Sequence, residues 1–215
     1  VIWADGRWRQ WLPPALADEG VIDLVADGDT RWLATLSGLY RWQGDSLRRF
    51  HPGNSVLPGL NVLDLHREVR RDGTSRIWVL TRHGVAWIDD QTLVRDPEPE
   101  RLLGDAWFRD LVETGPVDAR TRWLGGQGGL LFDRGAGWQP MPAPCLPHPD
   151  VMELTVHRAS DGVESLWVGS RGGITRVDPT RLGCESLGRD ALGKSTVYQI
   201  QFDRRDRAYL FGYDG

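Results

Sequence analysis

The chain has 215 residues, 40% of them hydrophobic, which is enough for a substantial core and excludes a disordered chain. Its 26 basic and 30 acidic residues leave a net charge of -4, so neither nucleic acid nor an anionic membrane exerts a general attraction. No apolar run approaches the ~18 residues that span a bilayer, and no charged-then-apolar leader is present; a start at Val1 in place of Met reads as a piece excised from something longer.

The first residues, Val1 to Trp3, a turn at Asp5-Gly6 and then Trp8 to Trp11, read as two short strands. From Val21 a four-part unit begins. Val21 to Val25 is an apolar run, Asp27-Gly28-Asp29 a polar turn, and Trp32 to Gly38 a second run that ends on glycine. Leu39 to Trp42 alternates, Gln43-Gly44-Asp45 turns again, and Ser46 to Phe50 is a more polar fourth run. Period-two patterning joined by glycine turns predicts four antiparallel strands, a to d.

The unit recurs along the chain. Its aromatic-to-glycine core returns at Trp78 to Gly84, Trp123 to Gly129, Trp167 to Gly173 and Tyr209 to Gly215. The aromatic always precedes the glycine by six residues, and successive aromatics lie 46, 45, 44 and 42 apart. Strand a precedes each core at Val62 to Leu65, Phe108 to Val112, Val151 to Leu154 and Val197 to Ile200. Strand c follows at Val85 to Ile88, Leu130 to Phe132 and Ile174 to Val177.

Tandem four-stranded units of about 40 to 50 residues are the signature of propeller blades. The expectation is an all-β chain, a β-propeller of four-stranded antiparallel blades, with the strand-b aromatic anchoring each blade on its neighbour. A helical solenoid would need a 3.6-residue period, which is absent, and a β-helix would show shorter rungs without antiparallel turn glycines. Because the opening residues match strands c and d and the chain stops at a b-to-c glycine, one blade is expected to be split between the termini. Residues 1–13 then supply strands c and d, residues 14–58, 59–104, 105–146 and 147–190 are whole blades, and residues 191–215 supply strands a and b. The alternative is a fragment of a seven-bladed propeller.

Arg31 to Trp42 and Leu166 to Asp178 resemble the two-component regulator propeller repeat, Asp-x-x-Gly-x-(Ile/Leu)-Trp-(Ile/Val)-Gly-Thr-x-x-Gly-Leu-x-Arg-(Tyr/Phe). The fifth repeat departs most, with Tyr209 for Trp and Phe211-Gly212 for Gly-Thr. The resemblance implies an extracytoplasmic, periplasmic sensor region of a bacterial membrane receptor whose output is a histidine kinase or a diguanylate cyclase. It also implies seven blades, a small β-sandwich and a membrane helix, none of which follows here.

Several constellations compete with that reading. Gly188 to Ser195 satisfies the P-loop spelling, but a nucleotide site needs a strand before it and a helix after it, and Thr196 to Ile200 reads as the next strand a. His51, His66, His83, His148 and His157 show no metal-ligand spacing and are expected to be loop or solvated side chains. Cys145 and Cys184 lie 39 residues apart with no Cys/His cluster, implying neither a zinc site nor a disulfide framework. Strand a repeats a polar position, Asp23, Asp64, Asp110, Glu153 and Gln199, which would ring the propeller axis and either line a channel or bond neighbouring amides and arginines.

The b-to-c turns and d-to-a connections should share one face. That face gathers Ser37, Arg82, His83, Gln127, Arg171 and Tyr213 with His51, Asn54, Asn61, Trp107, His148 and Asp150. Loops on a rigid scaffold are where binding residues sit, and Arg82, His83, Gln127, Arg171, Trp107, His51 and Asn61 are the candidate ligand contacts. The expected function is non-catalytic sensing of a small-molecule or oligosaccharide signal, with output domains outside this piece. No cofactor, metal, nucleic-acid or membrane contact is expected of the piece itself. A protein-interaction scaffold is the alternative, and a carbohydrate-active propeller enzyme a third reading.

Overall fold

The computed structural model describes residues 2–9, 12–142, 144–193 and 196–213. β1 (Ile2–Ala4) and β2 (Arg7–Arg9) form a hairpin. The first complete blade is β3 (Val21–Asp27), β4 (Thr30–Thr35), β5 (Gly38–Gln43) and β6 (Ser46–Phe50). The second is β7 (Val62–Val69), β8 (Ser75–Thr81), β9 (Gly84–Asp89) and β10 (Thr92–Asp96). The third is β11 (Phe108–Thr114), β12 (Thr121–Gly126), β13 (Gly129–Asp133) and β14 (Gln139–Pro140). The fourth is β15 (Val151–Arg158), β16 (Glu164–Ser170), β17 (Gly173–Val177) and β18 (Cys184–Gly188). A final pair, β19 (Thr196–Phe202) and β20 (Ala208–Tyr213), completes the described chain. Within every blade the strands pair antiparallel in sequence order, so these are four-stranded propeller blades in series.

The spacing from aromatic to glycine has a backbone cause. Gly38, Gly84, Gly129 and Gly173, which open the third strand of each blade, all have φ between 138° and 150°, a region that only glycine enters freely. At Gly38 and Gly173 a side chain would also run into the backbone carbonyls of Phe50 and Leu187 on the outer strand. The turn before that glycine is pinned from within. Thr35, Thr81 and Ser170 donate their hydroxyls to the carbonyls of Gly38, Gly84 and Gly173 at 2.9, 2.8 and 3.1 Å.

The strand-b tryptophans bury forward, against the next blade. Trp32 packs with Leu65, Ile77 and Val79 of the second blade, and Trp78 with Phe108, Leu111 and Leu124 of the third. Trp123 packs with Leu154, Leu166 and Val168 of the fourth, and Trp167 against Val197, Ile200 and Leu210 of the last pair. Trp32, Trp78 and Trp123 are consequently 3%, 2% and 0% exposed. Tyr209 holds the same place in β20 and is 46% exposed, with Phe211 and Tyr213 beside it by strand alternation.

β1–β2 and β19–β20 are separate two-stranded sheets. The pairing between the two ends that a split blade requires is therefore not formed among the described residues. The short helices α1 (Glu98–Leu103) and α2 (Arg189–Leu192) lie in connections, where no helix was expected. At six and four residues they are too short to show a period in sequence. Prolines at the start of α1, Glu98 and Glu100 in its first turn, Arg101 in its last and Gly104 at φ 78° supply its ends.

Candidate functional site

Strands β3, β7, β11, β15 and β19 contact one another in succession and carry the repeated polar position. Each has a bulge just before it. The register slips between Val21 and Asp23, Val62 and Asp64, Phe108 and Asp110, Val151 and Glu153, and Val197 and Gln199. Strand a is also an edge of its sheet, so its outward-facing backbone N–H groups need partners from outside that sheet. The preceding blade supplies them: Asp23 accepts the Leu65 N–H at 2.9 Å and Asp110 the Leu154 N–H at 2.6 Å.

These carboxylates stitch one blade to the next. Burial, reinforced by the charges of Asp110 and Asp23, pushes Asp64 well above the usual carboxylate range. Burial likewise pushes Asp110 up to about 7, with Glu153 and Asp23 adding repulsion, and it raises Glu153. Glu153 accepts from the Thr155 hydroxyl at 3.3 Å, and Gln199 is exposed. No group of three His, Cys, Asp or Glu side chains among the described residues is arranged to hold a metal ion.

The b-to-c turns meet the start of the neighbouring strand through a repeated hydrogen bond. Arg82 N–H donates to Asn61 O at 3.1 Å, Gln127 N–H to Trp107 O at 2.9 Å and Arg171 N–H to Asp150 O at 3.1 Å. This ties five of the predicted contacts to one face. The Arg82 guanidinium lies 4.0 Å from the Trp107 ring centroid, and that of Arg109 lies 5.6 Å from the same ring. His83 Nδ1 is 3.0 Å from Asp105 Oδ1.

Among the described residues no hydrogen bond or ion pair joins His51 to this cluster. Its carbonyl and ring serve its own loop, accepting the Asn54 and Gly53 N–H groups at 3.0 and 3.1 Å. Ser37 donates to Glu19 at 2.6 Å, and Tyr213 stacks near Tyr198 with centroids 5.7 Å apart.

Sequence reasoning placed Asp150 on this face but did not single out Arg109, which shares its centre. Arg109, the bulged residue of β11, pairs with Asp150 and donates to Val151 O at 2.8 Å, while Arg171 Nε lies 2.6 Å from the other Asp150 oxygen. Asp150 has a side chain only 6% exposed, so two guanidinium groups compensate its burial. The bulge that re-aims Arg109 has no local signature in the sequence.

Other expectations are corrected. Cys145 and Cys184 form a disulfide that fastens β18 to the connection leading into its own blade. The separation of 39 residues is one circuit of a blade, which brings the two positions side by side. His66 and His157 are not loop histidines; they sit on β7 and β15 and approach Glu113 and Asp206 of the next blade at 3.2 Å each. At the P-loop spelling a strand does come first, ending at Gly188, but α2 lies inside the spelling and β19 follows it. Lys194 and Ser195 themselves, like Val1 and Gly215, fall outside the described residues.

A groove of about 1370 Å³ lies on the opposite face, lined by the a-to-b and c-to-d turns of the third and fourth blades. Its charges are largely paired: Arg122 bridges Glu68 at 3.2 Å and Asp133 at 2.5 Å, and Arg120 pairs with Glu113 at 3.0 Å. Arg134 donates to the carbonyls of Pro179 and Thr180 at 2.5 and 3.0 Å, holding the two blades together. The groove has volume, but its deeper polar groups are engaged in seam contacts.

Comparison with solved structures places this geometry among known folds. The extracellular domain of the hybrid two-component system BT4673 from B. thetaiotaomicron superposes with a TM-score of 0.68 at 20% identity, over 89% of this chain and 26% of that one. The likeness shows the β-propeller fold alone. An ancestral GH74 enzyme gives 0.63 at 16% identity over 88% of this chain and 27% of that one. YCF48 from Cyanidioschyzon merolae gives 0.55 at 13% identity over 97% and 71%. The chain thus spans about a quarter of the length of that extracellular domain and of the GH74 enzyme. No family model matches the chain. No curated protein matches it either.

Proposed function

We propose that this chain is part of the ligand-sensing propeller of an extracytoplasmic bacterial receptor, non-catalytic in this piece, with its signal bound on the b-to-c face. The observation that carries the reading is the cluster of Arg82, Trp107, Arg109, Asp150 and Arg171, fixed by backbone hydrogen bonds yet open to solvent at Arg82 and Arg171. Rigid sheets holding polar loop residues at one face make a pre-organised recognition surface. The Cys145–Cys184 disulfide suits an oxidising compartment. The same blade architecture in the extracellular domain of BT4673 supports the same placement.

A thermal-shift screen with small acids and oligosaccharides tests it. Ligand at 100 times its Kd should stabilise the fold by about 2.7 kcal/mol. If no compound shifts the transition while a protein partner binds tightly, sensing is overturned.

A further inference from the structure

Arg82 differs from the other arginines of its face. It is exposed, and its guanidinium has neither a hydrogen bond nor an ion pair among the described residues. It is nevertheless held, because the group lies 4.0 Å from the Trp107 ring centroid. The backbone beneath it is fixed by the bond from Arg82 N–H to Asn61 O at 3.1 Å and by the Thr81 hydroxyl, which bonds Gly84 O at 2.8 Å and accepts the His83 N–H at 3.1 Å.

Stacking occupies the flat face of a guanidinium and leaves its edge free, and that edge carries only donors. Arg171 stands on the same face with its Nε committed to Asp150 at 2.6 Å and its side chain 55% exposed. Of the neighbouring carboxylates, Asp150 is matched by both Arg109 and Arg171, and Asp105 by His83 at 3.0 Å.

We propose that the b-to-c face recognises a carboxylate-bearing ligand, gripped edge-on by Arg82 with Arg171 as a second contact, and that Trp107 is the residue that positions Arg82. The proposal rests on the sensing reading and narrows it. Trp107 itself is a poor platform for a neutral sugar, since it is half-buried and a guanidinium already lies over its ring. A planar, doubly accepting carboxylate instead meets the fork of donors bidentately. The carboxylate can come from an acidic saccharide or from a small polycarboxylic acid, and both recognise the site by the same chemistry.

The test is isothermal titration of the oxidised protein with tri-galacturonate, citrate, sulfate and neutral maltotriose, repeated with Arg82→Gln, Trp107→Leu and Trp107→Phe. Unchanged melting temperatures establish that the variants are folded. Carboxylate binding should weaken roughly 10- to 100-fold in Arg82→Gln, as expected for losing hydrogen bonds to a charged group. Trp107→Leu should weaken it too, with recovery in Trp107→Phe, which restores an aromatic face. Tri-galacturonate against citrate tells the saccharide source from the small acid.

Binding of carboxylates that is indifferent to Arg82→Gln overturns the proposal. Binding of maltotriose alone overturns it as well but leaves sensing intact. Failure of every ligand to bind overturns the carboxylate proposal, and the wider thermal-shift screen then decides sensing.

Discussion

Replacing Asp110 with Asn separates the charge of the inter-blade carboxylates from their hydrogen bonds. The amide oxygen of Asn can still accept the Leu154 N–H that Asp110 accepts at 2.6 Å, but it adds no negative charge beside Asp23, Asp64 and Glu153. Burial raises Asp110 from 3.8 to about 7. A group raised in the folded state contributes stability that is fully present below pH 3.8 and is lost as pH climbs through about 7.

At 1.36 kcal/mol per pH unit the ceiling on this loss is about 4 kcal/mol. Sharing of protons with Asp64 and the partial opening of the site reduce it to roughly 1–2 kcal/mol. For a domain of this size that is roughly 2–8 °C in melting temperature. The assay is the melting temperature of Asp110→Asn minus that of the parent, read from pH 4.5 to 8.5, so that groups common to both cancel. The variant should gain on the parent as pH rises and level off above pH 7.5. A constant loss at every pH would refute the reasoning, because it would mean that the ionised carboxylate is the stabilising form.

Three further outcomes follow from the seams and turns. Trp123→Ala removes a fully buried anchor and its bond to the Thr114 hydroxyl at 2.8 Å, and should cost about 3–5 kcal/mol in urea unfolding. Gly173→Ala places a side chain at φ 138° against the Leu187 carbonyl and should cost about 2 kcal/mol or more, whereas Gly28→Ala, in open space, should cost less. Reduction of Cys145–Cys184 opens a loop of 39 residues and should lower stability by up to ~4 kcal/mol, seen as a drop in melting temperature with reductant that is absent in Cys145→Ser/Cys184→Ser.

The blades were legible because each repeat marks one backbone necessity. The glycine six residues after the aromatic sits where no side chain can, and the aromatic faces the next blade. The carboxylates of strand a were legible as a repeated position. That they would bond neighbouring backbone amides was legible too; which amide each one takes, Leu65 for Asp23 and Leu154 for Asp110, depends on how adjacent blades are set against each other and has no local signature.

The disulfide was hidden for a similar reason: two cysteines 39 residues apart become neighbours only after one blade has closed. The candidate face was partly readable. Arg82, Trp107, Gln127, Arg171 and Asn61 were placed by counting turns, while the Asp150 that organises Arg109 and Arg171 acquired its role only from burial. For His51 the structure shows only hydrogen bonds within its own connection, to Asn54 and Gly53.

Amide hydrogen exchange with and without a bound signal tests the central claim most directly. The account predicts slowed exchange at residues 82–84, 105–109, 126–129 and 171–173, where the turns and connections of the b-to-c face meet. Protection confined to residues 114–120 and 176–185, the groove on the opposite face, would contradict it.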